Sequence, residues 1–497
     1  MRLQVKAANP VDVEADVLVA PCFEDEDLDK GALEPLFRAT DGLVAEVLRS
    51  GEFRGRLGDF YLIPRPPGLR AGRLLLCGAG KQALYSPDVI RHFMSNGFAR
   101  WRHVNFARIA LWGRGSLDLE RLAAAAVEGL VLARYDPEEY KTSRKRAAGI
   151  SELTVLVPGR SVAPGVARRM EKSRTLAEGA NFARHLINQP GNVMTPAGLA
   201  AEARRLGREC GLSVDILDEK QMRKKGMHAL LGVAQGSAQP PRMIVLRYRP
   251  GSRARKNAVK RGPVALVGKG VTFDTGGISI KPAQSMEEMK ADKAGACTVL
   301  GVMQAIARLK LPREVLAVIP AVENMPSGTA QRPGDIVKSL SGKTIEIINT
   351  DAEGRLILAD ALTYACRLGA SEIVDIATLT GACVVALGHV CAGLFSSDDN
   401  LRDRLLEASR QSGDRVWQLP LYDEYKKDIQ SDIADIKNSG DRWGGAIYAA
   451  KFLQEFVGDT PWAHLDIAGV DLFRDDTSPL KGPTGFGVRL LAEFCAL

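Results

Sequence analysis

The sequence predicts a two-domain α/β protein whose C-terminal domain is the larger. Three observations lead to this fold class. The chain has 497 residues, which is too long for one ordinary domain. Short apolar runs alternate with helical patterns along the chain, as they do in proteins with parallel sheets. Hydrophobic residues make up 45% of the chain and charged residues 25%, which is typical of globular proteins with large cores.

The N-terminal domain is expected over residues 1–160. Its strand candidates are the runs DVLVAPCF, RLLLCGAG, RIALWG and ELTVLVP, and helical patterns such as LAAAAVEGLVLARY lie between them. This alternation indicates an α/β domain with a largely parallel sheet. Pro158-Gly159 and Pro164-Gly165 then interrupt the pattern. A connecting helix is expected over 161–186.

The C-terminal domain is expected over residues 187–497. Its strand candidates are MIVLRY, PVALVGKG, VLAVIPAV, TIEIINTD, EIVDIATL and AHLDIAG, and its clearest helical patterns are AGACTVLGVMQAIARL and LILADALTYACRL. Strands that are apolar almost throughout indicate a sheet covered by helices on both faces, an αβα sandwich. In such folds ligands bind outside the carboxyl ends of the strands.

The chain lacks the signals of a secreted or membrane protein. The first twenty residues hold no unbroken apolar stretch like that of a signal peptide, and no stretch is as long as a membrane-spanning helix needs. None of the eight cysteines forms a CxxC pair, so free thiols in a reducing compartment are expected. These features predict a cytoplasmic location.

Positive charge is concentrated in the middle of the chain. The net charge of the whole chain is +8, whereas residues 151–270 hold 22 Lys and Arg against 8 Asp and Glu. A solvated basic surface is the simpler interpretation. Nucleic-acid binding through phosphate contacts, or a regulatory role on the same scaffold, is the alternative function. No zinc-finger or RNP-like motif accompanies the charge.

Chemically active side chains concentrate in three segments of the C-terminal domain. One follows the run PVALVG, one opens a predicted helix, and one follows the run TIEIIN. In chain order their residues are Lys269, Asp274, Lys281, Asp292, Asp351, Glu353 and Arg355. If neighbouring strands carry the first and last segments, four carboxylates converge beside two lysines and an arginine.

Converging carboxylates point to bound metal. Crowded acids repel one another and are driven to take up protons, whereas divalent cations remove the repulsion and keep them ionised. Oxygen ligands with one nitrogen suit Zn²⁺, Mn²⁺ or Mg²⁺. Two such ions can share a water and lower its pKa. For each acid alone the alternative is a helix N-cap or a surface charge, and for the run DAEGR it is a solvated turn.

At these residues the sequence resembles the leucyl aminopeptidases, the cytosol aminopeptidases of peptidase family M17. The run NTDAEGRL at 349–356 matches the signature of that family at every position, and VGKGVTFDTGGISIKP at 267–282 is similar to its first metal-binding segment. The likeness extends through INQPGNVMTP, ENMPSGTAQRPGD, DIATLTGA and WAHLDIAG. It implies a metal-dependent exopeptidase that removes the N-terminal residue, leucine or another mostly apolar residue, from peptides through a water bridged by two metal ions.

The resemblance also implies a role for each matching residue. Asp274 and Glu353 would bridge the two ions, which would be Mn²⁺ or Zn²⁺. Lys269 and Asp292 would complete the coordination of one ion, and Asp351 that of the other. Lys269 can act as a ligand only as the neutral amine, so nearby cations must depress its pKa.

Two further residues would take part in catalysis, and four would line the pocket for the first side chain. Lys281 would stabilise the oxyanion of the tetrahedral intermediate. Arg355 would hold a bicarbonate ion that serves as general base, because a planar guanidinium suits a planar oxyanion. The pocket residues would be Met289, Thr378, Gly381 and Ala468.

The resemblance further implies a macro-like N-terminal domain, a homohexamer with inward-facing active sites, and a part in peptide catabolism. Two residues depart from the family pattern. Lys293 stands where the family usually has Met, directly beside a predicted metal ligand. Asp471 stands where an apolar pocket residue is expected, so it bears on the preference for leucine rather than on the reaction.

Overall fold

The computed structural model describes the whole chain except residues 29–30, 116, 144–148, 158–164, 252–261 and 476–477. The chain divides into two compact units. The first comprises Met1–Glu178 and Asp475–Leu480, and the second comprises Gly179–Arg474 and Lys481–Leu497. No helix among the described residues is both long enough and apolar enough to cross a bilayer.

The first unit is built on a six-stranded sheet. Its order is β1-β6-β5-β2-β4-β3, and every pair is parallel except β3 with β4. The strands are β1 (Arg2–Lys6), β2 (Val17–Cys22), β3 (Phe60–Pro64), β4 (Arg73–Gly78), β5 (Arg108–Trp112) and β6 (Glu152–Leu156). The helices are α1 (Glu34–Ala39), α2 (Leu43–Ser50), α3 (Pro87–Arg100) and α4 (Leu119–Ala133).

The predicted strands of this unit are those buried on both faces. In β2, Val17 and Val19 belong to one apolar cluster, whereas Leu18 and Ala20 belong to another. Alternate side chains of a strand point to opposite faces, so a strand buried on both faces reads as one apolar run. The edge strands β1 and β3 are largely half-buried or exposed and lack such a run, which is why sequence reasoning missed them.

The second unit contains a nine-stranded sheet and a small three-stranded sheet. The order of the large sheet is β16-β15-β18-β14-β9-β11-β8-β7, with β10 paired to β11; the order of the small one is β12-β13-β17. The central strands β18, β14, β9 and β11 are parallel. The strands are β7 (Ser213–Leu217), β8 (Arg242–Tyr248), β9 (Val264–Gly268), β10 (Gly270–Asp274), β11 (Val315–Asn324), β12 (Ile336–Lys338), β13 (Thr344–Glu346), β14 (Glu372–Ala377), β15 (Ala392–Ser396), β16 (Val416–Gln418), β17 (Ile436–Lys437) and β18 (Trp462–Asp466).

Helices cover the large sheet, with α9 and α10 each packed against β9, β11 and β14. Ala265 and Val267 of β9 share an apolar cluster with Leu358 of α10, and the alternate strand residues point to the other face. The helices are α5 (Gly165–Asn188), α6 (Pro196–Cys210), α7 (Glu219–Lys225), α8 (His228–Ala234), α9 (Ala294–Leu309), α10 (Glu353–Arg367), α11 (Gly381–Leu387), α12 (Asp399–Ser412), α13 (Gly445–Gln454) and α14 (Val488–Ala496). Residues 161–164, the predicted start of the connecting helix, lie outside the described residues, and the described remainder belongs to α5. The two compact units divide within α5, between Glu178 and Gly179.

One expectation about strand neighbours is wrong. The run TIEIINTD forms only the short strand β13, and this strand belongs to the small sheet rather than lying beside β9. Its residues 347–351 continue as a loop into α10. The two acidic segments therefore meet through loop contacts, because they do not follow neighbouring strands of one sheet.

Asp360 of α10 joins three parts of the second unit through one buried carboxylate. The side chain is fully buried, and its oxygens accept the backbone N–H groups of Leu230 in the first turn of α8, at 2.9 Å, and of Leu340, at 2.6 Å. The first N–H groups of a helix have no partner within the helix. Asp360 thus caps α8 from another element.

Replacing Asp360 with Ala should lower the free energy of unfolding by about 2–4 kcal/mol, because two buried N–H groups lose their acceptor. Urea denaturation followed by circular dichroism measures this value. Asp218→Ala is the matched control, since Asp218 caps α7 by accepting the N–H of Gln221 at an exposed site, where the loss should be about 1 kcal/mol. Equal losses in the two variants would contradict the burial argument.

Candidate metal centre

Lys269 lies between β9 and β10, which follow one another along β11. Its side chain is buried, and its Nζ contacts Asp292 Oδ1 at 2.7 Å and Glu353 Oε1 at 2.8 Å. Nζ also donates to the carbonyl of Thr378 at 2.8 Å. One lysine therefore joins two acids that are far apart in sequence to the end of β14.

Asp274 is the last residue of β10 and is held by polar neighbours. Its Oδ1 accepts hydrogen bonds from Gly276 N and Asn324 Nδ2, both at 2.9 Å, and its Oδ2 contacts Lys281 Nζ at 2.8 Å. Gly276 has a φ of +87°, which favours glycine, and a Cβ there would lie 2.9 Å from Asp351 Oδ1. The glycine thus lets the turn after Asp274 approach the second acidic segment.

Thr350 brings the second acidic segment to the first. Its Oγ1 donates to the carbonyl of Gly276 at 2.6 Å and accepts the N–H of Ser279 at 2.8 Å. Its own N–H donates to Ser279 Oγ at 3.1 Å. Asp351 and Glu353 follow at once, and Glu353 is the first residue of α10, where a helix N-terminus favours negative charge.

The acids of these segments form a compact cluster. One carboxylate oxygen from each of Asp274, Asp351 and Glu353 can be chosen so that all lie within 4.8 Å of one another. Lys281 Nζ forms ion pairs with Asp274 and Asp351. The cluster unites three residues that sequence reasoning assigned to metal binding with one that it assigned to catalysis.

Asp292 lies between a 3₁₀ helix over Met286–Ala291 and α9. Its Oδ1 accepts a hydrogen bond from Thr378 Oγ1 at 2.7 Å and contacts Lys269 Nζ. Its Oδ2 is buried and has no hydrogen-bond partner in the part of the chain that the structure describes. A buried carboxylate oxygen without a donor is costly unless something else satisfies it.

The charges of the cluster fit divalent metal ions. Two ammonium groups stand against the four carboxylates of Asp274, Asp292, Asp351 and Glu353, so the protein groups alone leave an excess of negative charge. Burial raises the pKa of Asp351 to about 6, and the charges of Asp274 and Glu353 add to this effect. Burial also raises the pKa of Asp292 well above its usual range. Oxygen and nitrogen donors in this combination suit Zn²⁺, Mn²⁺ or Mg²⁺, and Asp292 Oδ2 is a ligand atom without another partner.

The protein groups alone favour the charged form of Lys269. Burial lowers the pKa of this lysine, but the carboxylates of Asp292, Glu353 and Asp274 outweigh burial and raise it above the usual value. The same balance raises the pKa of Lys281. The neutral amine that the resemblance implies for Lys269 therefore requires the positive charge of bound metal.

Arg355 lies in α10, two residues after Glu353, and is nearly buried. Its Nη1 donates to the carbonyl of Asn438 at 2.7 Å, and its guanidinium lies over the ring of Tyr448, 5.4 Å from the centroid. Its Nε is buried and has no hydrogen-bond partner among the residues described. The guanidinium thus has a spare donor, although Arg355 is not among the residues that line the cavity at the cluster.

A cavity of about 230 Å³ opens at the acidic cluster. Lys269, Lys281 and the four acids line it. The four residues that sequence reasoning assigned to the pocket for the first side chain also line it: Met289, Thr378, Gly381 and Ala468. The structure therefore brings every predicted site residue except Arg355 to one cavity.

Lys293 points away from the acids despite its place beside Asp292. Its Nζ donates to the carbonyl of Gln189 at 3.0 Å and to that of Lys290. The side chain is fully buried, and burial lowers its pKa to about 8. This lysine joins the turn before Asp292 to the residues after α5 and forms no ion pair with a carboxylate in the described structure.

Sequence reasoning gave no role to three residues that shape the site. Asn324 supports Asp274 and ends the apolar run of β11, so a polar residue closing a buried strand was an available signal. A Cβ on Gly354 would lie 2.6 Å from Lys269 Cε, so any larger residue there would displace the side chain of Lys269. Asn438 donates to the carbonyl of Asn349 at 2.7 Å and lies in a loop with no distinguishing pattern.

Comparison with known proteins matches the whole chain to one family. The model of the cytosol aminopeptidase family, catalytic domain, matches residues 181–492, and that of the family's N-terminal domain matches residues 19–144. A probable cytosol aminopeptidase of Solibacter usitatus is 49% identical over 97% of this chain and 96% of its own length. One of Syntrophotalea carbinolica is 45% identical over 99% of each chain.

Two solved structures superpose closely on this chain. A mutant of tomato leucine aminopeptidase superposes with a TM-score of 0.90 at 34% identity, over 100% of this chain and 96% of that one. The bottromycin maturation enzyme BotP in complex with Mn superposes with a TM-score of 0.83, also at 34% identity, over 97% of this chain and 99% of that one.

Proposed function

Because the chain belongs to the cytosol aminopeptidase family and is a metal-dependent aminopeptidase, we propose that the acidic cavity is its active site and binds two divalent metal ions. The observation that carries this proposal is the cluster of Asp274, Asp351 and Glu353, whose ligand atoms lie within 4.8 Å of one another. The unpartnered Oδ2 of Asp292 supports it.

The metal ligands in this proposal are the five residues that the resemblance indicates. They are Lys269, Asp274, Asp292, Asp351 and Glu353. Two divalent ions, when bound, polarise the scissile carbonyl and make water a stronger nucleophile at neutral pH. Mn²⁺ is the first candidate, since BotP was solved with Mn, and Zn²⁺ is the second.

We assign to Lys281 the stabilisation of the negative charge that develops on the substrate's carbonyl oxygen. It lines the cavity, and its Nζ lies at the acids that would hold the metal ions. An ammonium group in that place can donate a hydrogen bond to the oxygen of a tetrahedral intermediate, and such donors act most strongly in a site that excludes water. Its contacts with Asp274 and Asp351 keep the side chain oriented before substrate binds.

Arg355 is our candidate for holding bicarbonate as a general base. The spare Nε donor supports this role, as does the position of Arg355 two residues after Glu353. A guanidinium fork presents parallel donors to a planar oxyanion. Lys281 and Arg355 would then act on different atoms of the reaction.

Removing metal tests the proposed function. Treatment of the purified protein with a chelator should abolish release of the N-terminal residue from leucine p-nitroanilide, and adding back Mn²⁺ or Zn²⁺ should restore it. The ion that restores the higher activity at stoichiometric amounts identifies the better cofactor. Full activity in protein shown by elemental analysis to be metal-free would refute the proposal.

Assembly, location and domain roles are further parts of the proposal. We assign the N-terminal α/β domain to 1–160, the connecting helix to 161–186 and the peptidase domain to 187–497. We also propose a homohexamer that degrades peptides in the cytoplasm. The homohexamer follows from the resemblance to the family, and large apolar side chains exposed on the second unit, such as Trp417, Tyr422 and Trp443, are available for contacts with further copies.

Nothing in the comparisons supports the alternative of a nucleic-acid-binding or regulatory protein. Part of the basic segment, the residues Arg253, Arg255, Lys256, Lys260 and Arg261, lies outside the described residues. Within the described part, Arg223, Lys224 and Lys225 occupy the last turn of α7, where positive charge complements the helix dipole. This position accounts for their charge without a nucleic acid.

A further inference from the structure

Asp471 is an acidic residue that lines the cavity, where apolar residues and the ion pair of Glu288 with Arg474 also contribute to the lining. The apolar residues of the same lining include Met289, Val384, Ala468 and Leu472. The backbone of Asp471 is held in place, since its carbonyl accepts the N–H of Thr484 at 2.8 Å. A carboxylate fixed in such a wall is a feature that the metal chemistry does not use.

The carboxylate of Asp471 lacks a full set of partners. The residue is only 7% exposed, and its Oδ1 is buried without a hydrogen-bond partner among the described residues. Burial raises its pKa to about 7, although the charge of Arg474 and nearby backbone groups oppose this effect. A buried acceptor without a donor has a strong tendency to bind one when it arrives.

Every other acid that lines the cavity already has a cation beside it. Lys269 forms ion pairs with Asp292 and Glu353, and Lys281 forms ion pairs with Asp274 and Asp351. Arg474, the remaining cation in the described lining, forms an ion pair with Glu288 at a partly exposed position. Asp471 is therefore the one lining acid without a bonded cation in the described structure.

We propose that Asp471 selects substrates whose N-terminal residue is basic, lysine or arginine, by pairing with the cation at the end of its side chain. The aliphatic stem of either residue suits the apolar wall formed by Met289, Val384 and Leu472. The charged tip can donate to the Asp471 carboxylate, whose Oδ1 has no donor among the described residues, and hydrogen bonds between two charged groups are the stronger kind. This inference rests on the proposed function, and it names the substrate class that the same site favours over neutral residues of similar shape.

Arginine and citrulline form the decisive substrate pair, because the neutral urea group of citrulline has nearly the shape of guanidinium. With Mn²⁺-loaded protein, kcat/KM for arginine aminomethylcoumarin should exceed that for the citrulline analogue by about 10- to 100-fold. The ratio of kcat/KM for a lysine substrate to that for its norleucine analogue tests the second basic side chain, and a leucine substrate serves as the reference. Asp471→Asn should bring the arginine-to-citrulline ratio close to one, and Asp471→Leu should shift preference toward leucine. Asp215→Asn is the matched control, since it makes the same change at an exposed position on β7.

Calorimetry provides a readout that does not depend on hydrolysis. Free L-arginine should bind the metal-loaded protein more tightly than L-citrulline, and Asp471→Asn should remove the difference. Circular dichroism of each variant confirms folding. If leucine and other neutral substrates are cleaved but arginine shows no advantage in rate or binding, the inference fails and the aminopeptidase stands. If no substrate is cleaved although arginine binds through Asp471, the proposed function fails and the specificity of the pocket stands.

Discussion

Replacing Glu353 with Gln should lower kcat/KM for N-terminal residue release by about three orders of magnitude or more. The amide has nearly the shape of the carboxylate, so the change removes a charge and not volume. Glu353 stands at the centre of the site, because its Oε1 contacts Lys269 at 2.8 Å and a carboxylate oxygen lies within 4.8 Å of Asp274 and Asp351. A cluster with one carboxylate fewer holds two dications less tightly.

The amount of bound metal distinguishes loss of a metal ligand from a general loss of the fold. Elemental analysis should find less than the wild-type amount of Mn²⁺ or Zn²⁺ in Glu353→Gln, while circular dichroism stays unchanged. Glu219→Gln is the matched control, since Glu219 is the first residue of α7 as Glu353 is of α10, but it is exposed and pairs with Arg223. Wild-type activity together with wild-type metal content in Glu353→Gln would show that Glu353 is not a metal ligand.

Replacing Lys281 with Met should lower kcat by about 10²- to 10³-fold, because the oxyanion loses one positioned donor. The reason for expecting the loss in kcat rather than in KM is that the donor acts on charge that develops only in the transition state. Methionine keeps an unbranched stem of similar length. Steady-state kinetics on leucine and arginine substrates measures kcat and KM separately.

Lys290→Met tests whether loss of any nearby positive charge has the same effect. Lys290 lies two residues before Asp292, but its Nζ contacts Asn188 Oδ1 at 3.3 Å rather than the acids of the cluster. This variant should keep kcat within about twofold, because the side chain of Lys290 bonds to Asn188 and not to the acids of the cluster. If Lys281→Met raised KM alone, or if the two variants lost kcat equally, Lys281 would not be the oxyanion donor.

Most of the regular structure could be predicted from local patterns. The buried strands β2, β4, β9 and β14 and the helix α9 were predicted because burial on both sides requires long apolar runs, which are visible without a structure. The edge strands β1 and β3 carry mixed side chains and leave no such signal. The run TIEIINTD looked like a strand of the main sheet because periodicity does not tell which sheet a strand joins.

At the site, too, some features could be predicted from the sequence and others could not. The glycine-rich turn after Asp274 and the run NTDAEGRL were visible as unusual polar segments following apolar strands. Their contact through Thr350, Gly276 and Ser279 was not visible, since each partner alone is an ordinary turn residue. Nor was it visible that Lys293 points away from the acids.

The sequence by itself predicted which residues carry chemistry and most of the strands and helices around them, because these predictions follow from side-chain type, from spacing and from a long match to known segments. Only the tertiary structure decided which charges face one another. Among the described residues, it left Asp292 Oδ2 and Asp471 Oδ1 without donors and paired Arg474 with Glu288 rather than with Asp471. The physical reason is that a partner's position depends on the packing of elements that are separate along the chain, and burial then decides how strongly each unpaired charge attracts a ligand.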